Sequence, residues 1–249
     1  MPYRSDLTYL YDGSFDGLLC CVHESYYQKE LPLLIFTSDK TQETLFPVKE
    51  IITDHFNAER VEDSICIKIS TEALRLVRLC YLSNEEGKEI IILNFLRLGY
   101  KTGSKVTNML SNDTVNALIK YTRPVSREGM FFKEFIRFSD YNGALVAIIE
   151  PKSFVLPLII DHFCDRYPSE QFLIYDETNK YAIVYHNFKA DIVPLEHLEL
   201  PTACTKEVKY RELWKQFYNT IAIESRINLK LRMGNMPKRY WKNLTEFQD

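Results

Sequence analysis

Two strand–turn–strand patterns with an amphipathic helix between them restrict this chain more than any other feature. Phe131 to Ser139 alternates apolar and polar residues, and Ala144-Leu-Val-Ala-Ile-Ile149 is a short apolar run, so both are expected as strands. Asp140-Tyr-Asn-Gly143 lies between them, and Asn-Gly favours the backbone geometry of a tight hairpin turn. Pro151 ends the second strand. Ser153 to Tyr167 then carries Val155, Leu158, Ile159 and Phe163 at helical spacing, with Pro157 early enough to be tolerated. Gln171 to Tyr175 and Tyr181 to Tyr185 repeat the strand pattern around Glu177-Thr-Asn179. Antiparallel hairpins backed by a helix make an α+β layer.

The chain ahead of this block reads differently. Leu7 to Tyr11 is expected as a strand, broken by Asp12-Gly13, and Ser14 can cap a helix with Phe15, Leu18, Leu19, Val22 and Tyr26 on one face. Residues 33–36 and 44–49 read as short strands joined by a polar connection from Thr37 to Gln42. Ile65 to Ile69 fits a strand or the lead-in to a helix. Ser70 to Leu82 and Glu85 to Gly99 are amphipathic helices, and with 104–122 they form a helical layer around residues 70–122. Residues 187–206, with Pro194 and Pro201, read as a connection, and Lys206 to Glu224 as a last long helix. The chain is thus one unit, divisible as 1–125, 126–205 and 206–249.

Composition narrows the function. Hydrophobic residues make up 46% of the 249 and charged residues 26%, which suits a packed core and not a disordered chain. No apolar run reaches the roughly 18 residues of a membrane span, and Arg4 and Asp6 interrupt the N-terminus where a signal peptide would be apolar, so a cytoplasmic protein is expected. The six cysteines form no C-x-x-C pair and read as reduced thiols, with no iron–sulfur cluster or structural zinc expected on this chain. Net charge is −3, unevenly spread. Residues 206–249 hold ten Lys/Arg against five Asp/Glu, a net of +5, so an anionic partner or the acidic remainder of the chain is expected to face this tail.

Within the tail, Arg226, Lys230, Arg232, Lys238, Arg239 and Lys242 supply cations, and Tyr240 and Trp241 supply rings. Cations neutralise phosphates and rings stack on exposed bases. The same two rings could instead anchor the tail to the core. A second group of polar candidates is scattered: Tyr11 and Asp12 at a strand-to-helix turn, Arg137 and Glu150 on neighbouring strands, and Asp161, His162, Asp165 and Arg166 on one helix. Asp161 and Asp165, four residues apart, share a helix face beside His162, a pattern that serves acid–base chemistry or a solvated surface equally well. No metal-ligand spacing and no nucleophile signature is present.

Tyr11-Asp-Gly-Ser-Phe-Asp-Gly-Leu-Leu19, Phe135-Ile-Arg-Phe138, Ile149-Glu-Pro151 with Leu156-Pro-Leu158 and His162-Phe163, and Met236-Pro-Lys-Arg-Tyr-Trp-Lys-Asn-Leu244 occur in that order. In order and spacing they resemble bacterial domain-of-unknown-function family 4130, associated with DNA metabolism and repair. The family pattern has a histidine just before the F-I-R-F stretch, where this chain reads Arg127-Glu-Gly-Met-Phe131. The resemblance implies an accessory DNA-repair protein that binds DNA, a radical-SAM partner enzyme, or both; the partner would carry the iron–sulfur cluster and S-adenosylmethionine. Two other classes stay open: a metal-independent nucleic-acid enzyme such as a glycosylase, using Glu150 or Asp161, and an interaction scaffold that never touches DNA.

Overall fold

The computed structural model describes residues 4–38, 44–200 and 205–247. Cys204 and the Asp39–Gln42 part of the polar connection lie outside the described residues. The chain divides into two compact units, Met1–Val125 and Ser126–Asp249, and the fold is α+β. Helix α5 (Asp113–Phe135) runs through the division, with Pro124, which has no N–H to donate to the helix ladder, beside it.

The first unit begins with β1 (Thr8–Tyr11), α1 (Phe15–Tyr27), β2 (Leu34–Thr37) and β3 (Val48–Glu50). Strand β1 lies between the other two and is parallel to both, so α1 is the crossover of a β-α-β unit. Tyr9 and Tyr11 are buried in this central strand, and the Ser14 hydroxyl accepts from Gly17 N, as an N-cap should. Four helical elements follow: α2 (His55–Lys68), α3 (Thr71–Tyr81), α4 (Lys88–Thr102) and a 3-10 turn (Gly103–Asn108). Ser70 caps α3 through Ala73 N. Ile65 to Ile69 is no strand. Ala58, Val61 and Ile65 are buried at helical spacing while Ile67 is exposed, so the apparent alternation is the C-terminal turn of α2, capped at its start by Asp54.

The second unit holds a five-stranded sheet in the order β4-β5-β6-β7-β8, formed by β4 (Ser139–Tyr141), β5 (Ala144–Ile149), β6 (Gln171–Asp176), β7 (Tyr181–His186) and β8 (Lys189–Pro194). The Asn142-Gly143 turn forms with both residues at positive φ, and Asp140 Oδ1 accepts from Gly143 N. Three expectations change. Phe131 to Phe135 is helix: Glu128, Phe132 and Phe135 are buried on one face of α5, and only Ser139 onward is strand. Strands β5 and β6 are parallel, because α6 (Leu156–Arg166) carries the chain back across the sheet. Residues 187–206 contain a strand, β8, which pairs with β7 through a two-residue turn at Asn187-Phe188. Both turn residues have positive φ without a glycine to announce it.

The C-terminal elements are α7 (Thr205–Ile221), α8 (Leu229–Asn235) and short 3-10 turns at Lys238–Asn243 and Thr245–Phe247. Tyr240 and Leu244 reach the core of the second unit, with Phe132, Ile149, Leu156 and Ile183. No helix among the described residues is long and apolar enough to cross a membrane.

One buried carboxylate shapes the β6–β7 turn. Asp176 is fully buried and accepts from Thr178 N, Asn179 N and Asn179 Nδ2 at 3.1, 3.0 and 2.6 Å. Burial raises its pKa above the usual 3.8, outweighing these hydrogen bonds, which pull it down. A raised folded-state pKa means that the Asp176 contribution to stability is complete below 3.8 and is lost as pH climbs through the raised value. Asp176→Asn removes the titration. In urea unfolding, the stability of the variant relative to wild type should therefore rise as pH goes from below 3.8 to neutrality; a flat difference would contradict the assignment.

Candidate functional site

Two clefts of the second unit share Arg137. The larger, about 680 Å³, is lined by residues from the end of α5, the start of the sheet, α6 and α7. Lys133, Arg137 and Arg166 supply three cations, Glu134 the single carboxylate, and Tyr167 and Trp214 are half-buried to exposed rings along it. The smaller, about 270 Å³, is lined by Arg137, Ser139, Tyr141, Glu150, Arg211 and Lys242 among others. Of the residues that the sequence marks as candidates, these two clefts collect Arg137, Glu150, His162, Arg166 and Lys242 from distant stretches of the chain.

Each cation is positioned by local chemistry. Arg137 follows the last turn of α5, where its Nη1 donates to the carbonyls of Glu134 and Ile136 at 3.0 and 3.2 Å, as suits a cation at a helix C-terminus. Lys133 lies in the last turn of the same helix and lines the same cleft. Arg166 ends α6, with its guanidinium 5.8 Å from the centre of the Tyr167 ring. Among the described residues none of these three cations forms an ion pair. Trp214 is 43% exposed, its indole N–H donates to Glu246 Oε2 at 3.0 Å and Phe217 tilts against it at 5.8 Å, so the ring is held in place while part of it stays exposed. Phe138 packs edge-on against Phe163 and Tyr167, which stiffens the floor.

The smaller cleft is more strongly paired. Arg211 donates to Glu207 Oε1 at 2.8 Å and to Ser139 Oγ at 2.5 Å, and Lys242 is ion-paired with Glu150. His162 lines the larger cleft next to Phe163 but makes no hydrogen bond to Asp161 or Asp165, and neither aspartate lines either of these two clefts. Among the described residues no three His, Cys, Asp or Glu side chains converge as metal ligands.

The last turns of the tail are anchored in the core through Tyr240 and Leu244. Tyr240 is 3% exposed and meets Phe131, Phe132 and Phe135 at ring separations of 5.2 to 5.6 Å; burial lifts its phenol to a pKa of about 12. Trp241 donates to the Met236 carbonyl and stacks on Phe247 at 4.6 Å. Arg239 donates to Glu128 Oε1 at 2.5 Å, and Glu128, buried, also accepts from Lys152 N and Ser153 N at 2.9 Å each. Lys238 lies 5.8 Å from the Trp241 ring and Arg232 5.5 Å from the Phe247 ring, while Arg226 and Lys230 are exposed.

The turn at Tyr11 and Asp12 belongs to the first unit and is closed to an anion. Asp12 Oδ1 accepts from Ser14 N and Oγ, and Oδ2 from Thr53 Oγ1. Burial opposes its charge, but these hydrogen bonds hold the carboxyl below the usual range. A Cβ at Gly17 would come within 2.3 Å of Asp12 Oδ1, so the carboxylate fills the space beside the helix start. Tyr11 is buried and its hydroxyl points to Glu89 Oε1 at 3.4 Å. Cys20, Cys21 and Cys80 are buried free thiols, and Cys66 and Cys164 half-buried ones.

Lys133, Tyr167, Arg211 and Trp214 carry no sign of a site in the sequence. The strand-like alternation over 131–139 hides that Lys133 sits in the last turn of a helix, and Trp214 on a helix gives no sign of which cleft it borders.

A model for a domain of unknown function, DUF4130, matches residues 86–246. No curated protein and no solved structure matches the chain.

Breaking the Glu128 node tests the tail's attachment. Glu128→Ala leaves Arg239 and two backbone N–H groups without their acceptor and should cost about 3 kcal/mol in chemical denaturation. Lys238→Ala, which removes an exposed cation, should cost less than about 0.5 kcal/mol. Equal effects from the two would refute the anchoring role.

Proposed function

Since the chain belongs to the DUF4130 family, whose function is unassigned, we propose that it is an accessory protein of DNA metabolism that holds a DNA strand in the larger cleft of its second unit. The observation that carries this reading is the cleft's lining: three cations without ion pairs among the described residues, one carboxylate, and a partly exposed Trp214 ring. Unpaired cations gain most from a phosphate, because no existing partner has to be given up. Ring faces gain from bases that are not already stacked in a duplex, which favours single-stranded or locally opened DNA. The tail cations Arg239 and Lys242 are already neutralised by Glu128 and Glu150, so in this reading the tail anchors and the cleft binds.

The chemistry would belong to a partner. The family resemblance of the sequence implies a radical-SAM enzyme, which would bring the iron–sulfur cluster and S-adenosylmethionine. In this division of labour the accessory chain presents the strand. Of the two carboxylates that the glycosylase alternative could use, Glu150 is already ion-paired with Lys242 and Asp161 lines neither cleft, which favours the accessory reading.

Fluorescence anisotropy with a short single-stranded DNA across a salt series tests the reading. Arg137→Ala/Arg166→Ala should weaken binding roughly tenfold or more at low salt. It should also make the slope of log affinity against log salt shallower by about 1.4, or about 0.7 for each phosphate no longer neutralised. Lys230→Ala in the tail should leave both quantities nearly unchanged. Wild-type affinity and slope in the cleft double variant would sink the proposal.

A further inference from the structure

A groove of about 550 Å³ in the first unit, lined by α1, α2 and Tyr100 of α4, has a different composition from its surroundings. Residues 1–125 carry 14 Lys/Arg against 17 Asp/Glu, yet Arg60, Lys68 and His23 line the groove and no carboxylate does. Of the acids nearest in sequence, Glu24 pairs with Lys49 at 2.8 Å and Glu62 with Arg78 at 2.5 Å, while Glu59 and Asp63 are exposed and do not line the groove. Arg60 and Lys68 have no ion-pair partner among the described residues. Arg60 sits 5.7 Å from the centre of the Phe56 ring, which leaves its charge unneutralised.

The aromatic side of the groove is ordered. His23 and Tyr27 stack nearly parallel, with centroids 5.8 Å apart and 12° between planes, and Tyr27 is 74% exposed. A planar ring added to the open face of Tyr27 would extend a stack that already exists. Tyr26 is braced edge-on by Tyr100 at 5.4 Å and by the Arg97 guanidinium at 5.0 Å. Stacking rings on α1 therefore face cations on α2.

We propose that this groove is a second site for single-stranded nucleic acid, with a base on Tyr27 and backbone phosphates on Arg60 and Lys68. The two cations are eight residues apart on α2, about 12 Å along the helix axis. Two cations spaced along the helix suit successive phosphates, so the ligand proposed is a strand of several nucleotides and not a free mononucleotide. Helices α1 and α2, which carry Tyr27, Arg60 and Lys68, lie before residue 86, where the family match begins, and Tyr100 is the one lining residue within the match. The proposal rests on its own lining and stands or falls separately from the cleft of the second unit.

The test is photo-crosslinking of the full chain to a short single-stranded DNA carrying iodouracil, mapped by peptide mass spectrometry, together with anisotropy. Crosslinks are expected on Tyr26 or Tyr27. Tyr27→Ala should weaken binding roughly fivefold or more, the range of one base–ring stack. Arg60→Ala/Lys68→Ala should make the salt slope shallower by about 1.4. Both variants change exposed side chains, and an unchanged melting temperature would confirm that they fold. Arg137→Ala/Arg166→Ala should leave the α1 crosslink in place, which separates this site from the other cleft. Excess thymidine monophosphate should compete poorly; efficient competition would overturn the strand assignment in favour of a mononucleotide pocket. Absence of an α1 crosslink together with wild-type binding by both first-unit variants would overturn the site altogether.

Discussion

The second unit depends on one buried carboxylate. Glu128, on the buried face of α5, accepts from the backbone N–H groups of Lys152 and Ser153 and from the Arg239 guanidinium. These donors come from the connection between β5 and α6 and from the C-terminal turn. A helix, a crossover and the chain end are thus joined at two oxygens. A carboxylate at this depth would be severely destabilising alone. With a cation and two amides it holds three separate segments in one arrangement, and Tyr240, next to Arg239, inserts its ring among Phe131, Phe132 and Phe135. The polar node sets where the tail attaches and the aromatic cluster supplies the buried area.

Helix packing beside the node leaves little freedom. A Cβ at Gly129 would meet Leu158 at 3.1 to 3.3 Å, so α5 and α6 approach closely at the residue after Glu128. The same helix then ends at Phe135 and turns Arg137 toward its own last carbonyls. The cleft cations Lys133 and Arg137 are therefore placed by a helix whose orientation is fixed one and two turns earlier. Arg166 is placed by α6, the other half of that packed pair. The cleft geometry follows from the core and not from a flexible loop.

Much of this is legible in the sequence where a local signal has one physical meaning. Ser14 and Ser70 cap helices, and Asn142-Gly143 turns a hairpin, because few residues serve those positions well. The expectations that change are those in which local pattern and tertiary context compete. The Phe131–Ser139 stretch alternates over a few residues, but Phe132 and Phe135 pack as a helical face only once Tyr240 arrives from more than a hundred residues away. The Asn187-Phe188 turn puts non-glycine residues at positive φ, a cost local propensity argues against and the β7–β8 ladder offsets. Parallel pairing of β5 with β6 is a property of the crossover, which no single strand announces. The cleft is legible only as a scatter of polar letters; Arg137 and Arg166 come together through the sheet and α6, not through sequence spacing.

Charge distribution shows the same limit at a larger scale. Counted along the chain, the last 44 residues are strongly basic, and an anionic ligand for the tail is the natural inference. Counted by partner, the picture changes. Arg239 and Lys242 each meet a glutamate that lies outside the tail, so two of its five excess positive charges are neutralised within the fold, where the sequence count cannot see it. Arg211 is held by Glu207 within the tail itself. Lys133, Arg137 and Arg166, in a stretch of ordinary composition, have no ion-pair partner among the described residues. An ion pair already formed must be broken or shared before its cation can bind phosphate, and that loss offsets most of the gain. Arg232 and Lys238 of the tail also lie beside rings without an ion pair among the described residues. Pairing within the fold, and not charge density along the chain, therefore decides which cations are left for an anionic ligand, and the larger cleft is where three of them line one concavity.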